Sequence, residues 1–576
     1  MASEKPWGRR LVICCDGTWQ TSVGLKNNIP SNVTKLCRLI ARTGTDQHDA
    51  SKKFHQLVYY DSGVGTGDLS SSEARRQGGT GAGLAENVIE AYNFIVMNYE
   101  PGDEIFCFGF SRGAYTARAV AGLVSDIGVI KPIHMQSFPD LYRAYMSNDE
   151  GLDFRQTRAW KWFTEGKLSA KGKELSESGA PYDHKNPQQV AEWWDITPHG
   201  ELAVSPESRN VKVVGVWDTV GSLGVPDVLG LNLARKRTKY GFHNVKLTGH
   251  IEHAYQALAL DERRKPFRPT LWYIPKELVD DPDTPTPELK QVWFPGVHIN
   301  CGGGDDDCFS NMKGDNENLS TSSFVWMLQC ISPHLAIDQT AFDNYIAQYL
   351  RWLASLRFAC TYHHPKIWGR ARKHLPKVPH IPIIWPKGDE LRPPKRDAPH
   401  AHDLDFSWGT GPFVDSFRSV YHLAGSHKRR PGHEDVEVYN QDEDAWEWKP
   451  LRHLGATNEY IHPIALHRSI VRGWDKHNPL RKGWTREHRK DDEGNARYWW
   501  YMHEGKEVIE LPEWAILPDV ANKANFERAW YRRCEKSKKT IDRLSMVGSF
   551  GENDFLAVLD KEIDFGFDAK PQNQWP

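Results

Sequence analysis

The sequence predicts an α/β fold: a mostly parallel sheet flanked by helices, with a helical insertion and an aromatic-rich C-terminal region. Two observations carry this. Short apolar runs alternate with stretches of helical periodicity from residue 1 to about 130, and again from 211 to about 335, as βαβ units do. The runs are also apolar on consecutive residues rather than on every second one. Parallel strands, buried on both faces, have this signature.

Taken in order, RLVICCDGT is a β-branched run closed by a turn signal. NVTKLCRLIAR follows at helical spacing, with Asn28 or Ser31 as its N-cap. QLVYYDSGVGTG is a second run ending in glycines. GLAENVIEAYNFIVMNY is an amphipathic helix, EIFCFGF a third run, and SRGAYTARAVAGLVSDIG a second strong helix. From about 131 to 208 the rhythm gives way to a segment rich in Trp, Tyr, Lys and Glu, read as a helical insertion over the sheet's edge. NVKVVGVWD restores a buried strand. KLTGHIEHAYQALALDERR reads as helical, PTLWYIP and ELKQVWFPGVH as strands, and LSTSSFVWMLQCI as a helix. The Pro-rich, basic stretch from 364 to 400 reads as a linker or long loop. The expected division is therefore 1–354 for a catalytic domain and 355–576 for an α+β or irregular accessory region. Within the latter, ARYWWYMHEGKEVIEL supplies short strands.

Composition narrows the function. With 73 Lys and Arg against 75 Asp and Glu, the chain carries a formal charge of -2. No global field draws it to nucleic acid. No run of about 18 apolar residues is present, as a membrane-spanning helix needs. The opening MASEKPWGRR has no apolar core of a secretory signal. Of the nine cysteines, Cys14, Cys15 and Cys107 sit inside apolar runs, and no CxxC pair occurs. They read as buried thiols in a reducing, cytoplasmic setting, without a structural metal site or other cofactor.

The chemistry centres on GFSRG. A strand, the pattern GxSxG and a helix together form the nucleophile elbow of α/β-hydrolase-like folds. Ser111 is the candidate nucleophile. Gly109 and Gly113 are there for steric reasons, since strand and helix pass close to one another. In such folds the acid and then the histidine follow the serine along the chain, each after a strand. Asp218 closes VKVVGVW and His298 follows QVWFPGV. Rival histidines are His250 and His253, and a rival acid is Asp261. The competing readings are an Asx-turn residue for Asp218 and, for His298, a loop histidine packed on Gly302–Gly304, each weaker than the catalytic one. For the oxyanion, one donor is expected from the backbone N–H of Arg112 and a second from Gly17 or Thr18 in CDGTWQ. Asp16 either orders that loop through its carboxylate or is a plain turn residue.

Other chemistries stay open. Asp16, Asp61 and Asp218 at strand ends would suit a metal-dependent phosphoesterase, although Cys14 stands where a second aspartate is typical. The GGGDDDC loop could take a hard cation or be a solvated acidic loop. A non-catalytic scaffold would hold its histidine more than about 5 Å from Ser111, beyond the reach an activated serine needs.

The blocks CDGTWQ, YYDSGVGTG, GFSRGAYTARAVAGL, GVWDTVGSLGVP, HAYQALALDERR, VWFPGVHINCGGG and YIHP occur in this order. Over about residues 8–335 the chain resembles the α/β-hydrolase domain family related to type VI secretion phospholipase effectors (Tle1-like). The resemblance implies a Ser-Asp-His triad on Ser111, Asp218 and His298, and hydrolysis of phospholipid acyl esters. Two departures stand out. Asn300 and Cys301 occupy positions where the family commonly has Asp and Val, and Asp305 replaces an aromatic residue after the glycines. The 23 tryptophans, many of them C-terminal, could form a lid or a membrane-facing surface, or could simply pack the two regions together.

Overall fold

The computed structural model describes residues 7–17, 30–63, 82–148, 153–220, 245–304, 317–349, 425–440, 445–490, 496–516 and 525–531, with 409, 411 and 413. Asn28, Thr18, the acidic loop from 305, the glycines at 65 and 67 that end the second run, and the 364–400 segment lie outside them.

An eight-stranded sheet organises the molecule. Its strands are β1 (Gly8–Cys15), β2 (Thr43–Thr45), β3 (Lys53–Asp61), β4 (Glu104–Phe110), β5 (Val211–Trp217), β6 (Ile251–Ala259), β7 (Glu288–Phe294) and β8 (Glu459–Ile461). The order across the sheet is β8-β7-β6-β5-β4-β1-β3-β2. Every pairing is parallel except β2 with β3. The order runs outward in both directions from the junction of β1 and β4. At such a reversal the loops after the strands separate and leave a crevice.

Helices α1 (Asn32–Leu39), α2 (Ala82–Asn98), α3 (Arg112–Ile127), α4 (His298–Gly302) and α5 (Glu317–Ile331) flank the sheet. Ser31 caps α1, its hydroxyl accepting the Thr34 N–H. Adjacent residues of one strand serve opposite cores. Val12, Cys14, Phe106 and Phe108 pack with Phe324, Trp326 and Met327 of α5. Leu11, Ile13, Cys15, Ile105 and Cys107 pack with α2 and α3. This is why the strand runs read as continuously apolar. Helix α5 is buried along nearly its whole length, so its sequence carries little amphipathic contrast.

The insertion contains helices Phe138–Met146, Arg158–Glu165, Ala170–Glu177 and Pro187–Trp193. Later in the chain an antiparallel hairpin joins Asp435–Asn440 to Ala445–Pro450. A three-stranded antiparallel sheet uses Trp484–Lys490, Ala496–Glu504 and Glu507–Pro512. Strand β8, from beyond residue 355, is added to the edge of the main sheet beside β7. Trp293 Nε1 donates to Glu459 Oε2 across that pairing at 2.8 Å.

One expected element differs. KLTGHIEHAYQALALDERR reads as helical, yet Ile251–Ala259 is β6, paired on both sides by β5 and β7. Ala254, Ala257 and Leu258 fit helical spacing as well as a buried strand does, and periodicity cannot separate the two over so short a run. Flanking strands on both sides decide it. PTLWYIP also lies outside the main sheet, contributing only Ile274–Pro275 to a two-strand pair with Gly455–Ala456.

The close approach of α3 to β1 depends on Gly113. A Cβ there would sit 2.3 Å from the carbonyl oxygens of both Cys15 and Asp16. We therefore expect Gly113→Ala to lower stability by about 1–3 kcal/mol or more, measurable as a reduced urea midpoint.

Candidate active site

Strand β4 ends at Phe110 and α3 begins at Arg112, so Ser111 alone makes the turn. Its backbone lies at φ 60°, ψ -123°, a region costing a non-glycine residue on the order of 1–3 kcal/mol. The surrounding contacts hold it there. Ser111 N–H donates to the Trp217 carbonyl at 3.1 Å. At Gly109 a Cβ would meet the Gly113 carbonyl oxygen at 2.3 Å. Any side chain at 109 would force the helix away from the strand.

Asp218 follows β5 and is itself in a left-handed conformation, φ 41°. Its N–H donates to the Ala257 carbonyl at 2.7 Å. His298 opens α4, after β7 and a turn through Gly296, φ 113°. These three loops, from strands spread across half the sheet, bring their side chains into one line. Ser111 Oγ lies 2.7 Å from His298 Nε2, and His298 Nδ1 lies 2.7 Å from Asp218 Oδ2. The imidazole sits between Phe110 and Phe267, with ring centroids 4.8 and 4.9 Å away. The separation from Ser111 is well inside the distance a non-catalytic scaffold was expected to show.

The electrostatics are those of a dry site. Burial pushes the His298 imidazole below its ordinary value, against the opposing hydrogen bond and charge of Asp218. Neutral imidazole is therefore the resting form at neutral pH. Burial alone would raise Asp218, but the charge of Arg429 and the hydrogen bond from His298 override it. They hold the carboxyl well below the usual carboxylate range.

Arg429 has no counterpart in the sequence expectations. Its Nη1 donates to Asp218 Oδ1 at 2.8 Å and its Nη2 to Oδ2 at 3.0 Å. Both side chains are at most 1% exposed. It escapes sequence reading because it comes 211 residues after the aspartate it meets, in a stretch of several basic residues, GSHKRRPGH.

The loop after β1 differs from expectation. The Gly17 N–H donates to Asp16 Oδ1 at 2.7 Å, so Asp16 takes the group expected to face an oxyanion. Thr18, the alternative donor, lies outside the described residues. Asp16 also accepts from Ser31 Oγ (2.6 Å), Tyr60 Oη (2.8 Å) and Thr34 Oγ1 (2.9 Å). Burial raises its proton affinity against these four donors. A carboxylate so enclosed ties β1, β3 and α1 together. Among the described residues, Asp16, Asp61 and Asp218 do not converge as ligands of one ion.

The rivals take other places. Asp261, pushed up to about 6 by burial, accepts from Gly296 N–H at 2.7 Å and Asn478 Nδ2 at 2.6 Å. It fixes the turn before His298 rather than the ring. His250 and His253 lie at the opposite ends of the strands, near Asn210 and Glu288. His253, Glu288 and His334 form a three-ligand cluster there, but Lys290 Nζ is 2.5 Å from Glu288, and an ion pair explains the grouping. Asn300, at the departure from the family pattern, accepts the Val297 N–H at 3.2 Å and braces the first turn of α4.

The architecture is of the α/β class, a mostly parallel sheet flanked by helices. The chain belongs to the family of type VI secretion phospholipase effector Tle1-like catalytic domains, whose family model matches residues 9–330. An uncharacterized protein of Saccharomyces cerevisiae, YEL023C, is 24% identical over 291 residues, covering 48% of this chain and 35% of the yeast protein. The match thus spans about a third of that relative. Among solved structures, the Tle1 effector bound to the VgrG spike of the type 6 secretion system is 17% identical. It covers 52% of each chain with a TM-score of 0.26. An uncharacterized Pseudomonas aeruginosa protein is 14% identical, covering 56% of this chain and 45% of its own, with a TM-score of 0.24.

Replacing Asp218 by Asn removes the counter-charge of a fully buried guanidinium. We expect a loss of about 3–5 kcal/mol in stability at pH 7, checked by urea unfolding of the two full-length proteins.

Proposed function

We propose that this protein is a serine hydrolase that cleaves carboxylic esters, with phospholipid acyl esters as the substrate class. The observation that supports this most is the unbroken line from Ser111 Oγ through the His298 ring to Asp218, with 2.7 Å at each step. Membership of a phospholipase effector family supports the substrate class.

In this mechanism His298 Nε2 takes the Ser111 hydroxyl proton as Oγ bonds to the acyl carbonyl carbon. Asp218 keeps the remaining proton on Nδ1, so the Nε2 lone pair faces the serine. Negative charge forming on the carbonyl oxygen is met by the Arg112 N–H at the start of α3 and by that helix's N-terminal dipole. The tetrahedral centre collapses, the ester C–O bond breaks, and His298 returns the proton to the departing alcohol. Water then attacks the acyl-enzyme with His298 again as base, releasing the fatty acid and free Ser111. The strained turn at Ser111 serves this sequence by holding Oγ clear of its own helix.

Access of lipid is part of the proposal. No described helix is long and apolar enough to cross a membrane. Ile133 and Trp162, 80% and 38% exposed on the insertion, are suited to peripheral contact with a lipid surface.

A fluorophosphonate probe is expected to label the wild-type chain at Ser111, with labelling abolished by Ser111→Ala. His298→Ala should lower hydrolysis of phospholipid or p-nitrophenyl esters by at least about 10³-fold. Wild-type protein that folds but takes no label refutes the nucleophile, and activity lost to a chelator but indifferent to the probe favours a metal-dependent phosphoesterase.

The pH dependence follows from His298. Its folded-state pKa lies below the ordinary imidazole value, and the base must be neutral to accept the serine proton. Labelling and kcat/KM should therefore rise with pH, with a midpoint below about 6.5, and be flat through neutrality. A pH–rate profile checks this.

A further inference from the structure

The acid of the site is more heavily bonded than its part in orienting a histidine requires. Asp218 Oδ2 accepts from His298 Nδ1 at 2.7 Å and Arg429 Nη2 at 3.0 Å. Its Oδ1 accepts from Arg429 Nη1 at 2.8 Å and the Ala259 N–H at 3.0 Å. About four lone-pair positions are available on a carboxylate, and all are engaged. The carboxylate can neither rotate nor slide along the imidazole edge.

The guanidinium is fixed as firmly. Nη2 also donates to the Phe267 carbonyl at 2.9 Å. The segment carrying Arg429 is strapped to residues 263–265. His427 N–H donates to the Arg263 carbonyl at 2.8 Å, and Lys265 N–H to the Gly425 carbonyl at 3.2 Å. Ser426 pairs with Arg264 as an isolated bridge. Arg264 in turn forks onto Glu262 (2.9 and 2.8 Å), and Glu262 Oε2 accepts the His298 N–H at 3.1 Å. The same strap thus reaches the histidine by two routes, through its ring and through its backbone.

We propose that Arg429 is a positioning residue of the esterase site, locking Asp218 against His298 and setting the proton affinity of the histidine. The proposal rests on the serine-hydrolase reading above. A bidentate fork fixes the plane of the carboxylate, which a single point cation does not. The pairing also leaves Asp218 and Arg429 together close to neutral. Asp218 stays ionised in a dry pocket, yet the imidazolium gains less from it than from an unpaired carboxylate. His298 is thereby kept neutral, and competent as a base, to lower pH. The groups facing the His298–Asp218 pair are Arg429, Arg264, Glu262 and the buried Cys301 thiol, with Glu434 behind Arg429. Of these, Arg429 forks onto Asp218. Because residue 429 lies beyond the matched 9–330 span, a component of the site comes from the region expected to be accessory.

The test compares full-length wild type, Arg429→Gln and Arg429→Lys by fluorophosphonate labelling rate and ester hydrolysis from pH 4.5 to 9, with folding checked by near-UV circular dichroism. Gln removes the charge and the fork. We expect kcat to fall at least tenfold, KM to change little, and the acid limb to move up by about one pH unit. Lys restores charge without the fork, so its acid limb should return toward wild type while kcat stays low. Folded Arg429→Gln with wild-type kcat and acid limb overturns the proposal and leaves a purely structural ion pair. Should Arg429→Gln fail to fold, Arg429→Lys decides alone, a wild-type kcat overturning the proposal and a lowered kcat with an unshifted acid limb sustaining it. Failure of the wild-type chain to label at Ser111 is a separate result, which removes the serine reading itself.

Discussion

A carboxylate with no access to water is the constraint around which this molecule is arranged. Asp218 is fully buried, and an ionised carboxylate in such a place is strongly unfavourable unless paired and hydrogen-bonded. The fold meets that demand from three directions. Strand β6 supplies the Ala259 N–H, the loop after β7 supplies the imidazole, and the segment near 429 supplies a guanidinium. Each donor comes from a different stretch of chain, so satisfying one charge draws the second half of the sheet and a distant segment into register.

The serine side obeys a different rule, steric rather than electrostatic. Gly109 lets the α3 backbone approach β4, and Gly113 lets it approach the carbonyls of Cys15 and Asp16. The left-handed Ser111 is tolerated because its neighbours cannot relax without parting α3 from the sheet. The Asp16 cluster then closes the arrangement from below. Its carboxylate gathers hydroxyls from α1 and β3 next to the carbonyl that Gly113 abuts. The strain at Ser111 and the order of the loop after β1 are thus parts of one packing solution.

Much of this was legible in the residues. GFSRG after an apolar run specified the elbow, because tight strand–helix packing admits only glycine at 109 and 113. The placement of Asp218 and His298 after strands was legible too, since chain order and strand ends restrict the choice among 25 histidines. Strand β6 was not, because AYQALAL satisfies helical and strand patterns alike and its neighbours in space decide. The ordering of its loop by the Asp16 carboxylate is one of two readings the Asp-Gly pair allows, but its partners Ser31, Thr34 and Tyr60 are not legible, since they come from elements whose approach is tertiary. Arg429 left the least trace. Among the basic residues of GSHKRRPGH nothing local distinguishes the one that is buried from those at the surface.

The contrast between the two buried acids beside His298 shows how environment assigns roles to like residues. Asp261 accepts from a backbone N–H and an amide, and burial raises it to about 6. Asp218 is just as buried but faces a guanidinium and is held far below that. Asp261 is therefore the closer of the two to titration at neutral pH, and only Asp218 lies in line with the imidazole. The first suits a turn whose geometry survives either protonation state, since each form can still accept the Gly296 N–H. The hydrogen bonds that merely shape the loop are left to a group whose ionisation matters less.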